Sequence, residues 1–335
     1  MKKFTHIDAF YQIVDYVRKL NKSESSNKIL EPVKFIGTTK LHGTNCGITH
    51  DAKFNTLTFQ SRSREITVED DNAGFAKFAT DNFDTIIEIF KKLRHEYSIE
   101  KNIFVTIYGE WIGKKIQKGV AINNLPNRQW VMFFARCHNE SVDEYFRVLP
   151  TYNSYEKNNI FSIFDGPIWN LEIDFLDEKS LKNAVVKFET LTKKVEKECP
   201  WAKKFGISGV GEGIVWIPTE YQWGNSNLFF KTKGEKHKMI SSKKESINPE
   251  ILSSTKEFVT FSLTENRMNQ GLEYLKESGS EIDIKNIGKY LKWIAEDIKR
   301  ECNLDLEGSN LEWKQVAKSI NSVAKNFYLN KIKKI

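Results

Sequence analysis

"TTKLHGTNCGI" (38–48) decides how this chain is read. One lysine, Lys40, follows two threonines that favour extended backbone. Gly43, Thr44 and Asn45 then turn the chain at once. A surface lysine needs no such setting. A lysine that acts as a nucleophile does, because it must be held rigid, with small residues letting other groups come close. Its amine attacks phosphorus or a carbonyl only when unprotonated, so burial or other cations should lie near it.

On either side of this stretch the text alternates as strands do. The alternation runs from Val33 to about Phe59, through "PVKFIGTTKL", "CGITHD" and "TLTFQSR", with a hairpin turn at 51–56. Residues 74–98 carry the apolar period of one helix. Further strands are expected at 102–113, 129–137, 145–150, 161–165, 211–218 and 227–233, with a second helix near 179–198. Near the start, Phe10, Ile13, Val14 and Val17 recur at helical spacing. The pattern is α+β, built on antiparallel sheets flanked by helices. After Lys233 the character changes. Residues 234–249 are rich in lysine and serine, and 250 to about 330 read as all helical. The expected division is 1–240 for the chemistry, 241–249 as linker and 250–335 as a small helical domain.

Composition sets outer bounds. A chain of 335 residues, 40% hydrophobic and 28% charged, can bury a core without disulfides. The excess of 51 basic over 44 acidic residues, +7, fits a polyanionic partner. Cys46, Cys137, Cys199 and Cys302 are scattered, with no C-x-x-C pair, which argues for reduced thiols and against a zinc site. The first twenty residues lack the apolar centre of a signal peptide, and no later run has the length of a membrane span. The expectation is a cytoplasmic protein.

Four cations are candidates to fold near Lys40: Arg62, Arg64, Lys231 and Lys233. The last two share one face of a strand, as they also would on a solvated edge. Glu110 in "IYGEWIG" and Glu212 in "VGEGIVWIP" are carboxylates in apolar strand contexts. Burying them is costly unless they meet a cation or hydrogen-bond donors, and hard oxygen ligands suit Mg²⁺. A lysine nucleophile, several cations and a carboxylate make a polyphosphate site. With no P-loop or kinase signature present, covalent nucleotidyl transfer is the matching chemistry.

"KLHGTN" (40–45) resembles motif I of the covalent nucleotidyltransferases, and its histidine resembles that of the RNA ligase 2 family. "FQSRSRE" (59–65), "YGEWIG" (108–113), "VMFFARC" (131–137), "GEGIVW" (211–216) and "FFKTK" (229–233) are similar, in order, to that family's later motifs. Six motifs in sequence are far more specific than any one. The helical tail is also similar.

The resemblance implies an antiparallel-sheet nucleotidyltransferase domain of the ATP-grasp-like ligase kind, followed by a small all-helical C-terminal domain. It implies an ATP-dependent RNA ligase in which Lys40 becomes lysyl-AMP. By the same resemblance Thr39, Leu41 and Asn45 flank the nucleotide and Glu110 meets its ribose. Arg62 meets the phosphate being transferred. Phe134, or its neighbour Phe133, stacks on adenine. Glu212 holds Mg²⁺ or Mn²⁺, and Lys231 and Lys233 stabilise the α-phosphate. His42 serves the RNA steps. Lys236, Lys238, Lys243 and Lys244 form a cationic tract read either as RNA phosphate contacts or as a solvated linker. The implied partners are RNA ends, in particular nicked duplex RNA, with no membrane and a monomeric chain. Thr39, Ala135 and Ile217 depart from the family pattern, standing where glutamate, aspartate and lysine are usual.

Overall fold

A computed structural model describes residues 1–24, 26–147, 153–234, 255–308 and 311–333. The chain divides into two compact units, Met1–Gly234 and Glu235–Ile335. The first unit runs β1 (Asp8–Ala9), α1 (Phe10–Lys22), β2 (Val33–Lys40), β3 (Thr44–Asp51), β4 (Thr56–Ser61) and β5 (Glu65–Ile66). Then come α2 (Phe75–Asp81), α3 (Phe83–Glu96), β6 (Phe104–Ile112), β7 (Gln129–His138), β8 (Asp143–Arg147), α4 (Asn153–Glu156) and β9 (Ile160–Ser162). It ends with β10 (Ile168–Ile173), α5 (Glu178–Lys197), α6 (Pro200–Lys204), β11 (Gly213–Pro218) and β12 (Phe230–Lys233).

These strands form two sheets. One has five strands in the order β1-β12-β11-β2-β10. The other has seven, β5-β4-β3-β6-β7-β8 with β9 also on β7. Pairing is antiparallel except at β1–β12 and β7–β9, which are parallel. Each sheet is covered by helices on one face. Ile13 and Val17 of α1 and Phe188 of α5 pack on Phe35, Trp216 and Phe230 of the five-stranded sheet. Phe75 of α2 and Ile86 and Phe90 of α3 pack with Ile48, Ile107 and Trp130 of the other. Alternation along each strand then sends the remaining side chains to the opposite face. There Tyr108 and Phe134 of one sheet meet Ile217 and Phe229 beside the other.

Several elements differ from the sequence reading. The single helix expected over 74–98 is two, because Asn82 interrupts it. Its backbone sits at φ −110°, ψ 24°, and its side-chain amide donates to the Phe78 carbonyl at 2.9 Å. Asparagine often offers backbone groups this alternative to helix. β10 and α6 lie where no element was expected. Of the strand expected at 161–165, only Ile160–Ser162 is extended, and Ile163–Asp165 is a 3-10 turn. α5 begins where Asp177 accepts hydrogen bonds from the backbone N–H groups of Lys179 and Ser180. All four cysteines are buried, and none is in a disulfide.

The second unit is described by itself. Its described elements are helices: α7 (Thr255–Ser262), α8 (Glu265–Glu277), α9 (Ile287–Glu301), α10 (Asn303–Gly308) and α11 (Trp313–Ile332). Phe258, Leu275, Tyr290, Ile294, Ile320 and Tyr328 form its core. Arg267 is buried within it and ion-pairs with Asp297 and Glu301, each at 3.0 Å. No described helix is long and apolar enough to cross a membrane. Lys236, Lys238, Lys243 and Lys244, the linker 241–249 and residues 148–150 lie outside the described residues.

Candidate active site

Lys40 is the last residue of β2, and the site grows from the strands beside it. β11 pairs with both β2 and β12, so that Gly213 lies opposite Lys40 on one side and Lys233 on the other. Cross-strand partners share a face, so the two lysines project to the same side of the sheet. Gly213 has no side chain to stand between them. A Cβ there would come within 2.0 Å of the Thr232 carbonyl oxygen. The preceding residue, Glu212, is only 1% exposed. Lys40 Nζ lies 2.6 Å from Glu212 Oε2, and Lys233 Nζ lies 3.2 Å from Oε1. His42 Nδ1 is 3.6 Å from Oε2.

This carboxylate is the electrostatic centre of the site. Burial alone would raise its pKa. The positive charges of Lys40 and Lys233, with His42 hydrogen-bonded beside them, hold it well below the usual carboxylate range. Among the described residues no three His, Cys, Asp or Glu side chains gather into a metal cage.

A second carboxylate shapes the turn after Lys40. Glu110 Oε1 accepts a hydrogen bond from the Gly43 backbone N–H at 3.0 Å. Asn45 is the register partner of Glu110 across β3 and β6, so both face the same side. Gly43 is required by close approach: a Cβ would sit 2.3 Å from the Trp111 carbonyl oxygen. Gln117, which the sequence reading did not single out, donates to the Gly43 carbonyl at 3.3 Å. Asn72 donates to Thr44 Oγ1 at 3.0 Å. Neither residue stands in a distinctive motif, and only folding brings them to the turn.

Several expected site residues are placed otherwise. Thr39 pairs with Ile214, which faces the α1 and α5 core, so its side chain lies on the face opposite Lys40. Leu41 is buried among Ile112, Val131 and Trp201. Arg64 is occupied within its own loop, pairing with Asp70 at 2.6 Å, while Arg62 is exposed in the turn after β4. Lys231 lies on the same strand face as Lys233, opposite Val215.

The two candidate aromatic residues differ in their surroundings. Phe134 is 3% exposed, and its ring stacks with those of Phe229, Trp223 and Phe4 at 5.1, 5.5 and 5.8 Å. No face is left for a base. A bulge between β6 and β7 pairs Tyr108 with Phe134 and Gly109 with Met132, leaving Phe133 as the extra residue. Phe133 stays partly exposed, against the same inner cluster as Phe134. Two of the departures from the family pattern are also core positions. Ile217 packs with Phe134 and Phe229, and Ala135 is fully buried in the seven-stranded sheet's core. A charge at either place would be desolvated.

The chain is similar to solved structures of Naegleria gruberi RNA ligase. A lysine-to-alanine mutant with ATP and Mn is 14% identical, over 70% of this chain and 57% of that chain, with a TM-score of 0.42. A glutamate-to-alanine mutant with AMP and Mn is 15% identical, over 70% and 56%, with a TM-score of 0.43. The same ligase with PPi is 15% identical, over 70% and 56%, with a TM-score of 0.41. The chain thus spans a little over half the length of these proteins. No curated protein matches it. Residues 33–233, the stretch that runs from the start of β2 to Lys233 and so contains Lys40 and Glu212, match the RNA ligase family, and the chain belongs to that family.

Proposed function

We propose that the protein is an ATP-dependent RNA ligase that joins a 5′-phosphate to a 3′-hydroxyl through a lysyl-AMP intermediate on Lys40. The observation that carries this reading is the grip of Lys40, Lys233 and His42 on one buried carboxylate, Glu212. In the first step Lys40 Nζ gives its proton to solvent, leaves Glu212 and bonds to the α-phosphorus of ATP. The bond from that phosphorus to the β-phosphate oxygen breaks, and pyrophosphate departs. In the second, an oxygen of the RNA 5′-phosphate attacks the same phosphorus and the P–N bond breaks, returning the amine. In the third, a 3′-hydroxyl attacks the 5′-phosphorus and AMP leaves.

The chain's own residues have definite parts in this scheme. Lys233, with Lys231 two residues earlier, faces the negative charge that builds on the α-phosphate. Glu110 fixes the Gly43 turn and takes the ribose hydroxyls. Phe133, not Phe134, is the ring that stacks on adenine. Arg62, exposed beyond β4, meets the phosphate in transfer. Glu212 would hold Mg²⁺ or Mn²⁺ together with phosphate oxygens, since such ions accept one or two carboxylates plus phosphate. When bound, the ion neutralises phosphate charge. The unit 1–234 carries out adenylation, and the helical unit with the tract Lys236 to Lys244 engages the RNA of a nicked duplex. The working form is a monomer.

The test is direct. The protein is incubated with ATP labelled at the α-phosphorus and Mg²⁺ or Mn²⁺, then denatured. Covalent label on the wild-type chain, absent from Lys40→Ala, is the expected result, followed by sealing of a nicked RNA. Label that survives Lys40→Ala, or no label at all, overturns the reading.

A further inference from the structure

The sequence "IGKKIQKG" follows Glu110 closely, and the scheme above uses none of its lysines. In the fold it forms one wall of a cavity of about 730 Å³ that includes Lys77, Asp81, Trp111, Lys114, Lys115 and Arg128. Its charges are unbalanced. Asp81 is the only acid in the lining, and both of its oxygens are taken by Lys77, each at 2.9 Å. Lys114, Lys115 and Arg128 have no carboxylate partner among the described residues. Cations brought together without counter-charge repel one another, which favours an anion between them.

The cavity is also built in advance. The Arg128 guanidinium donates to the carbonyls of Lys114 at 3.1 Å and Ala73 at 2.6 Å, which fixes its plane. Its remaining amino group has no partner among the described residues. Ile116 N–H closes a turn on the Gly113 carbonyl at 3.3 Å, and within that turn Lys115 sits at φ +67°. Few residues other than glycine adopt that conformation, and such strain gathers where a side chain is put to use.

Position distinguishes the ligand. Trp111 packs its ring on Phe78 of α2 at 4.5 Å, on the face of β6 opposite the Glu110 carboxylate. The Trp111 wall of this cavity and the Glu110 carboxylate therefore lie on opposite faces of β6. A polynucleotide carries phosphates along its whole length and so supplies an anion on this face of β6 as well as at the end being joined. We propose that Lys114, Lys115 and Arg128 form a second phosphate site that grips a backbone phosphodiester of the RNA strand away from the end being joined.

This inference rests on the RNA ligase reading, and the experiment separates the two. The full chain is compared with the Lys114→Gln/Lys115→Gln double variant in covalent labelling by ATP and in affinity for a nicked RNA duplex across a salt series. Labelling and the KM for ATP should be unchanged. RNA affinity at low salt should fall roughly tenfold, and the slope of log affinity against log salt should become shallower by about 1 to 2, one phosphate contact per lysine. Lys115→Gly, which relaxes the positive φ, should keep the melting temperature while making the slope shallower by about 1. A raised KM for ATP with an unchanged RNA slope would assign the cavity to the triphosphate and overturn the proposal, as would no change in either. A wild-type chain that takes no label defeats the ligase reading itself. A wild-type chain that takes label, with variants that keep the full salt slope, defeats only the second site.

Discussion

Lys40 and Lys233 take opposite oxygens of one carboxylate, at 2.6 and 3.2 Å from Glu212, across a strand position that glycine leaves bare. The nucleophile in our scheme is thus held by the same group that faces its neighbouring cation. Removing the Lys40 amine, as in Lys40→Ala, should cut labelling by ATP about a thousandfold or more, since in this scheme the bond to phosphorus forms at that amine. Sealing of RNA that already carries a 5′-adenylate should persist, because that step needs no lysyl bond. Loss of both activities would give Lys40 a role beyond the first step.

Glu212→Gln should destabilise the fold by about 2 kcal/mol at pH 7, by leaving clustered cations without their carboxylate. The pH dependence has a sign. The folded pKa of Glu212 lies below its ordinary value of 4.5, so its contribution is complete above 4.5 and is lost as pH falls through the folded value. Urea unfolding of wild type and variant should therefore converge on acidification below 4.5. A gap that stays constant into strong acid would contradict the ion-pair account.

Gly43→Ala should cost about 1–3 kcal/mol, because the new methyl meets the Trp111 carbonyl at 2.3 Å and the turn must shift. The same shift stretches the Gly43 N–H bond to Glu110, so labelling by ATP should fall too. Thermal melting and labelling of one preparation check both effects. A variant that melts like wild type would show the turn has more room than its geometry allows.

Phe133 and Phe134 are neighbours with different expected phenotypes. Phe134→Ala empties a site enclosed by three rings and should cost about 3–5 kcal/mol of stability. Phe133→Ala, removing a ring that is only partly buried, should lower stability less than Phe134→Ala and raise the KM for ATP. If the KM change instead follows Phe134, the base enters by displacing Phe4 or Trp223.

A fragment of residues 1–234 should fold and accept label from ATP, since every described strand and both sheets lie within it. Its affinity for nicked RNA should drop relative to the full chain. Circular dichroism and labelling of the fragment test this, and an unfolded fragment would mean the helical unit completes the first core.

Much of the site was legible from local chemistry. A lysine before a glycine turn, two carboxylates in apolar strands and two lysines on one strand face are one-dimensional patterns, because strand alternation is a property of neighbouring residues. Hence Lys40, Glu110, Glu212 and Lys233 could be named before folding. The α+β class and the helical run after residue 250 follow from the same periodicity. Tertiary structure decided what periodicity does not carry. Asn82 splits a helix through a hydrogen bond that an apolar count ignores. Thr39, one residue from Lys40, belongs to the opposite face, and an unforeseen bulge leaves Phe133 as the extra residue beside Phe134. The pairing of Lys40 with Glu212 joins residues 172 apart in sequence. It exists only because β11 lies between β2 and β12, and strand order is set by how whole sheets bury their apolar faces.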